Sequence, residues 1–321
     1  MYNNSVILVT GGTGSWGIEL IRQLLTLSPK KIIAFSRNEN NQVLMRRDID
    51  DPRLSFCIGD IRDKDALVIA SKGVDFLFHL AALKHVPVCE ENPLEAFKTN
   101  VMGTQNVIEA SIENRVKKVV YVSTDKAADP VNSYGMTKAL GERLIIDANQ
   151  MDLTTKFICI RGGNVLGSSG SVIPLFKQQI LEKNHILITD KRMTRYFVTP
   201  QNAIKILLKA ARVGSGGEIF VMHMDACRIL DLAEVLIEHL GREHTKIIEV
   251  GARKGEKIHE VLIAVNEQEL ARVYDEDLIV ISSQTSSLIN VPIPSVLTNT
   301  TGKLLNKNEI KKLLIAGGFL D

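Results

Sequence analysis

Cysteine is scarce in this chain: four in 321 residues (Cys57, Cys89, Cys159, Cys227), none in CxxC spacing. Such usage supplies neither a disulfide framework nor a cysteine metal site; it fits buried thiols in a reducing cytosol, so the expected location is cytoplasmic and no metal is expected. Charge of one sign is missing too. Lys and Arg total 39 against 37 Asp and Glu, a formal net charge of +2. Without a one-signed field, nucleic acid and anionic lipid are not expected as partners, although a local basic group can still bind phosphate. Long apolar runs are absent. No stretch of about 18 apolar residues reads as a membrane span, and Val6–Val9 is too short for the apolar core of a signal peptide. What remains is ordinary globular composition, 45% hydrophobic and 24% charged.

The first half alternates short apolar runs with amphipathic stretches. Strands are expected at Val6–Val9, Ile32–Phe35, Leu54–Ile58, Phe76–His79, Val119–Val122 and Phe157–Ile160. Helices are expected at Trp16–Leu27, Asp63–Ala70, Leu94–Asn114 and Tyr134–Ala148. Nearly continuous apolar strands joined by helices predict an α/β fold, a doubly wound parallel sheet of Rossmann type. After Asn164 the rhythm becomes irregular, with elements expected at Val172–Leu181, Pro200–Arg212, Glu218–Met222 and Leu230–Leu240. The division expected is a dinucleotide-binding domain over residues 1–163 and a smaller α/β substrate lobe over 164–321, some of whose segments return to the first domain. Residues 282–303, rich in Ser, Thr, Asn and Pro, read as a surface loop.

In VILVTGGTGSWGIEL, Gly11, Gly14 and Gly17 follow a strand and open a helix. Gly11 permits the sharp turn, Gly14 lets backbone approach a pyrophosphate, and Gly17 lets helix and strand pack closely. The helix N-terminus then faces the anion. Thr13, Ser15 and Trp16 share this loop, Trp16 as helix packing or as a cover for the cofactor. The second strand ends in AFSRNE, where a cofactor lacking a 2′-phosphate would meet Asp or Glu. Ser36 and Arg37 stand there instead. A guanidinium suits a 2′-phosphate, so NADP is preferred over NAD. Asp60 and Ile61 follow the third strand, at the adenine. Ala81, Ala82 and Lys84 follow the fourth, where small residues allow close cofactor approach.

Tyr134 and Lys138 are spaced i, i+4 at a helix start and share one face. An ammonium beside a phenol lowers the phenol pKa and suits it to take a proton from a sugar hydroxyl. The hydroxyl of Ser123 or Thr124, at the fifth strand's end, can hydrogen-bond the substrate oxygen. Asp125 and Lys126 lie between these groups.

TGGTGSWG, AALKH, YVSTDK and YGMTK resemble an extended short-chain dehydrogenase/reductase over nearly the whole chain. STDKA with PVNSYGMTK, RGGNVLGSSGSVIP, ITDKRMTRYFV and RKGEKIHE resemble, more narrowly, the UDP-N-acetylglucosamine 4,6-dehydratases. The resemblance implies a lyase with a tightly bound, recycled cofactor: oxidation at C4, loss of water across C5 and C6, and return of the hydride to C6. It implies Tyr134 and Lys138 as the redox pair, Asp125 as the acid at C6 and Lys126 as the base at C5. These last roles need a protonated Asp125 and a neutral Lys126. Partial burial favours both neutral forms and direct ion pairing opposes both, so the two side chains are expected to point at different substrate atoms, not at each other. The resemblance further implies contacts to a UDP-sugar from Asn164, from the 167–177 loop (Ser171, Val172, Lys177), from Arg195, Arg253 and Glu256, and from Lys84, and it suggests a homo-oligomer, a dimer or larger. His85 and His259 are read as structural. A 4-epimerase or ketone reductase of the same superfamily would need Tyr134 and Lys138 without the Asp125–Lys126 pair, and a catalytically silent dinucleotide sensor would need none of the four.

Overall fold

The computed structural model describes residues 1–321 except 152–153, 169, 241–243, 283–290, 293–302 and 321, and gives backbone only at 291–292. Six strands follow the apolar runs closely: β1 (Val6–Thr10), β2 (Lys31–Ser36), β3 (Leu54–Ile58), β4 (Phe76–His79), β5 (Lys118–Thr124) and β6 (Lys156–Gly162). They pair in parallel in the order β3-β2-β1-β4-β5-β6. β4 is buried along its length and β6 beyond its first residue, which is why these strands read as apolar without alternation.

Helices cover both faces: α1 (Ser15–Leu25), α2 (Glu39–Asp48), α3 (Lys64–Ala70), α4 (Val86–Glu91), α5 (Pro93–Phe97), α6 (Gly103–Glu113) and α7 (Ser133–Met151). Asp63 caps α3, its side chain accepting from the Ala66 amide, and Asn38 caps α2 in the same way through Asn41. The single helix expected over Leu94–Asn114 is instead α5, a π-helical turn at Lys98–Met102, and α6. Proline at the start of α4 and of α5 breaks the approach into short helices.

Beyond β6 come β7 (Asn164–Val165), α8 (Val172–Gln178), β8 (His185–Ile188), β9 (Thr194–Val198), α9 (Pro200–Val213), β10 (Ile219–Met222), β11 (Ala226–Arg228), α10 (Ile229–His239), β12 (Lys246–Glu249), β13 (Ala271–Val273), β14 (Leu278–Ile281), β15 (Val291–Pro292) and α11 (Lys307–Ala316). β10 joins β6 in parallel, and β14, β13 and β15 extend the same sheet antiparallel. Two small sheets, β11-β9-β7 and β12-β8, lie outside it. One apolar cluster fills both sides of the large sheet and draws on α9, β10 and β14 as well as the first half. A second, with Ile173, Phe176, Ile186, Phe197, Leu236 and Leu314, lies under α8, α10 and α11. Most of the loop expected over 282–303 lies outside the described residues.

Candidate active site

The carboxyl ends of the parallel strands open into a cleft of about 780 Å³, within the range of small-molecule sites. The glycine loop between β1 and α1 forms its floor. Gly11 has φ +69°, and a Cβ there would lie 2.9 Å from the Ala81 amide nitrogen. A Cβ on Gly17 would lie 2.5 Å from the Gly12 carbonyl oxygen. Gly14 caps α1 without a side-chain hydrogen bond, and a helix N-terminus suits an incoming anion. These close approaches fit a dinucleotide pyrophosphate. Thr13, Ser15, Trp16, Ala81, Ala82 and Lys84 all line the cleft.

At the end of β2, Ser36 and Arg37 line the same cleft. Gln42 donates to the Ser36 hydroxyl at 3.0 Å. Ile61 lines the cleft, whereas Asp60 does not. Its carboxylate is turned to Arg62, at 2.9 Å from Nε and 2.6 Å from Nη2, with Arg37 Nη1 3.7 Å away. Burial pushes the Asp60 carboxyl up, but the Arg62 hydrogen bonds and the two guanidinium charges outweigh it and leave it below the usual range. Asp60 is thus held by the Arg62 guanidinium through Oδ2, between Gly59 and Ile61, which line the cleft.

α7 begins where the loop after β5 turns back, and brings Tyr134 and Lys138 to the cleft wall beside Ser123, Thr124 and Lys126. The local electrostatics correct two expectations. First, the cation that pulls on the Tyr134 phenol here is Lys126. Burial lowers Lys138 itself to about 7, and its Nζ donates to the Val122 carbonyl at 2.7 Å and sits 3.9 Å from the Tyr121 ring centroid. Burial raises Tyr134 to about 12, and the opposing pull comes from the Lys126 charge and a Thr124 hydrogen bond.

Second, Asp125 and Lys126 do face each other, with Nζ 3.0 Å from Oδ1. Thr124 donates to the same oxygen at 2.9 Å. Asp125 is fully buried and stands behind the cleft wall, and its Oδ2 has no hydrogen-bond partner among the described residues. Burial alone would lower the Lys126 pKa, but Asp125, then Glu260, hold it above the ordinary value. At Lys126 the attraction of the neighbouring negative charges outweighs the penalty of burial.

From the second half, Asn164, Ser171, Val172, Arg195, Arg253 and Glu256 line the cleft. Arg195 is less open than expected for a diphosphate ligand: Nη1 donates to the carbonyls of Thr194 and Ile258, and Nη2 to that of Lys257. Glu256 accepts from the Arg253 amide at 3.2 Å. Lys177 does not line the cleft. Its ammonium donates to the Phe319 carbonyl at 2.6 Å, because it follows the buried Phe176 on α8 and leaves the helix toward the C-terminal segment. His85, read as structural, lines the cleft against Gly170, where a Cβ would lie 2.7 Å from its Cε1. His259 has a partner, Thr194 Oγ1 at 2.8 Å from Nδ1. Sequence reading missed Glu260, 2% exposed, whose Oε1 is 3.4 Å from Lys126 Nζ. It lies inside the quoted RKGEKIHE motif, which was the available signal.

A family profile described as polysaccharide biosynthesis protein matches residues 7–282. A curated UDP-N-acetylglucosamine 4,6-dehydratase (inverting) of Campylobacter jejuni is 44% identical over 86% of this chain and 82% of its own length. A UDP-glucose 4-epimerase of Rickettsia akari is 38% identical over 100% of this chain and 98% of its own. Among solved structures, Pen from Bacillus thuringiensis superimposes with a TM-score of 0.95 at 37% identity, each chain wholly covered. DesIV of Streptomyces venezuelae, a dTDP-glucose 4,6-dehydratase with NAD bound, gives 0.73 at 26% identity over 79% of this chain and 86% of its own.

Proposed function

This chain belongs to the polysaccharide biosynthesis protein family, and on that premise we propose that it is a UDP-N-acetylglucosamine 4,6-dehydratase, a hydro-lyase. The observation that carries this reading is the Asp125–Lys126 pair, Lys126 at the same cleft wall as Tyr134 and Lys138 and Asp125 buried directly behind it. Redox chemistry at C4 has no use for it. Elimination of water does.

A nicotinamide dinucleotide, when bound, would supply the hydride acceptor for C4 and the hydride returned to C6. The glycine loop with Thr13, Ser15, Trp16, Ala81 and Ala82 holds it, and Ser36 with Arg37 favours NADP, since no carboxylate from β2 meets the ribose. Tyr134 takes the C4 hydroxyl proton, steadied by Thr124 and by the Lys126 charge. Lys138 is poised near neutrality and can pass protons to and from the phenol's surroundings. The C4 ketone then acidifies C5–H. Moving one proton within the pair, from Lys126 to Asp125, turns ammonium and carboxylate into amine and carboxylic acid, the two forms elimination needs. The 3.0 Å contact between Lys126 Nζ and Asp125 Oδ1 is short enough for that proton to pass directly. Lys126 takes the C5 proton while Asp125 protonates the departing C6 hydroxyl.

Residues 1–163 carry the cofactor and 164–321 most of the UDP-sugar contacts, among them Asn164, Ser171, Val172, Arg195, Arg253 and Glu256, with Lys84 between the two ligands. The chain works in the cytoplasm as a homo-oligomer. Proton NMR of UDP-N-acetylglucosamine with the protein in heavy water tests the reading. A C6 methyl with deuterium at C5 is expected, and K126A should stop methyl formation while still reducing the cofactor at C4. A C4 epimer with no methyl would instead support the activity named for the Rickettsia relative.

A further inference from the structure

Glu260 has no part in the chemistry described so far, yet it is 2% exposed and reaches the centre of it. Its Oε1 lies 3.4 Å from Lys126 Nζ, and its Oε2 has no hydrogen-bond partner among the described residues. Leaving a buried carboxylate oxygen unbonded costs about 1–3 kcal/mol. Lys126 already has Asp125 as an ion-pair partner at 3.0 Å.

The backbone delivers Glu260 deliberately. Asn132 donates to the Gly255 carbonyl at 2.8 Å, and Lys257 Nζ to the Ala128 carbonyl at 3.0 Å, which tie the 255–260 segment to the catalytic loop. Arg195 and the Thr194 amide bind the Lys257 and Ile258 carbonyls, and His259 bonds the Thr194 hydroxyl, which tie it to β9. Held from both sides, Glu260 has little freedom to swing elsewhere.

Building on the dehydratase reading, we propose that Glu260 is the positioning carboxylate of the elimination step: it holds the Lys126 amine by a hydrogen bond so that the lone pair faces C5, and receives the ammonium when the C5 proton arrives. The balance closes. Before the step the centre holds an amine, a carboxylic acid and the Glu260 carboxylate. The C5–H bond breaks, its electrons form the C5–C6 double bond, and the C6–O bond breaks. Lys126 gains the C5 proton and the Asp125 proton leaves in water, so the centre ends as one ammonium between two carboxylates. Net charge is unchanged at minus one. Asp125 alone cannot serve both purposes, because while it carries the acid proton it offers Lys126 no negative charge.

The charged and titratable groups facing Lys126 are Asp125, Tyr134, Arg195 and Glu260, with Tyr196 beyond Asp125. Of these Arg195 opposes the ammonium and Asp125 and Glu260 favour it. Removing the Glu260 charge must therefore lower the pH at which Lys126 becomes neutral.

The test is single-turnover kinetics of cofactor-loaded protein with UDP-N-acetylglucosamine, following cofactor reduction by absorbance and C6 methyl formation by NMR across pH. E260Q should reduce cofactor at the wild-type rate, form methyl about tenfold or more slowly, and show its basic limb moved down by about one pH unit or more. E260D, which keeps the charge on a shorter arm, should keep the wild-type limb at a reduced rate. A wild-type limb and methyl rate in E260Q would overturn the proposal while leaving the dehydratase reading intact. Should E260Q fail to fold, a shifted limb in E260D would overturn it. If the wild type forms no methyl at all, both the reading and this inference fall, a result no Glu260 variant could mimic.

Discussion

Arg161 grips Glu142 through two hydrogen bonds, Nε to Oε1 at 3.0 Å and Nη2 to Oε2 at 2.6 Å, where both residues are almost fully buried. Glu267 closes the other side of the guanidinium at 2.7 and 2.9 Å. Glu142 is one helical turn beyond Lys138, so Arg161 also decides how much negative charge that lysine feels. Cutting one member out of a buried ion triad strands the others. R161M should lose about 3–5 kcal/mol in urea unfolding, and the triple change R161M/E142Q/E267Q should recover most of that loss.

Burial holds Lys138 down to about 7 against 10.5 for the ordinary ammonium. The unfolded chain therefore binds more protons than the folded one between those values, and stability from this group rises with pH across that window. Below about pH 7 both states are protonated and the burial penalty is at its full size. The cofactor-free protein should gain melting temperature from pH 7 toward pH 10. In K138M that component of the rise should vanish, and a K138M melting profile that climbs as steeply as the wild type's would refute the assignment.

Arg37 at the mouth of the cleft is the handle on cofactor choice. R37A should weaken NADP binding about tenfold or more, the worth of a charge-assisted contact to phosphate, while leaving NAD within about threefold. Titration of both dinucleotides by intrinsic fluorescence of Trp16 would read the ratio. Equal weakening of the two would place the 2′-phosphate elsewhere.

Gly17 leaves no room for a side chain: a Cβ would lie within 2.5–2.6 Å of the Gly11 and Gly12 carbonyl oxygens. Backbone on both sides must move to admit a methyl group. G17A should cost about 1–3 kcal/mol and abolish dinucleotide binding, measured by calorimetry, because the α1 amides would be pushed off their line.

What could be read from the sequence was local. The glycine loop, the Tyr134–Lys138 turn and the strands β1 to β6 each lie in one short segment, whose spacing alone fixes its geometry. α2 leaves no apolar pattern in the sequence, because its composition is polar and only Gln42 and Met45 are buried. Spacing does not fix where Lys177 points, because a one-residue step on a helix turns a side chain by about 100°. The surroundings of Lys126 are not legible for a different reason. Its second carboxylate arrives from a segment far along the chain, and no spacing rule connects positions 126 and 260.

The way β10 enters the large sheet has a practical consequence for anyone cutting the protein. β6 is flanked by β5 on one side and β10 on the other, so a fragment ending near residue 163 would expose the full hydrogen-bonding rim of a buried, apolar strand. Such a rim recruits other chains. The amino-terminal half expressed alone should precipitate or self-associate, and co-expression with residues 164–321 should rescue it by supplying the absent neighbour.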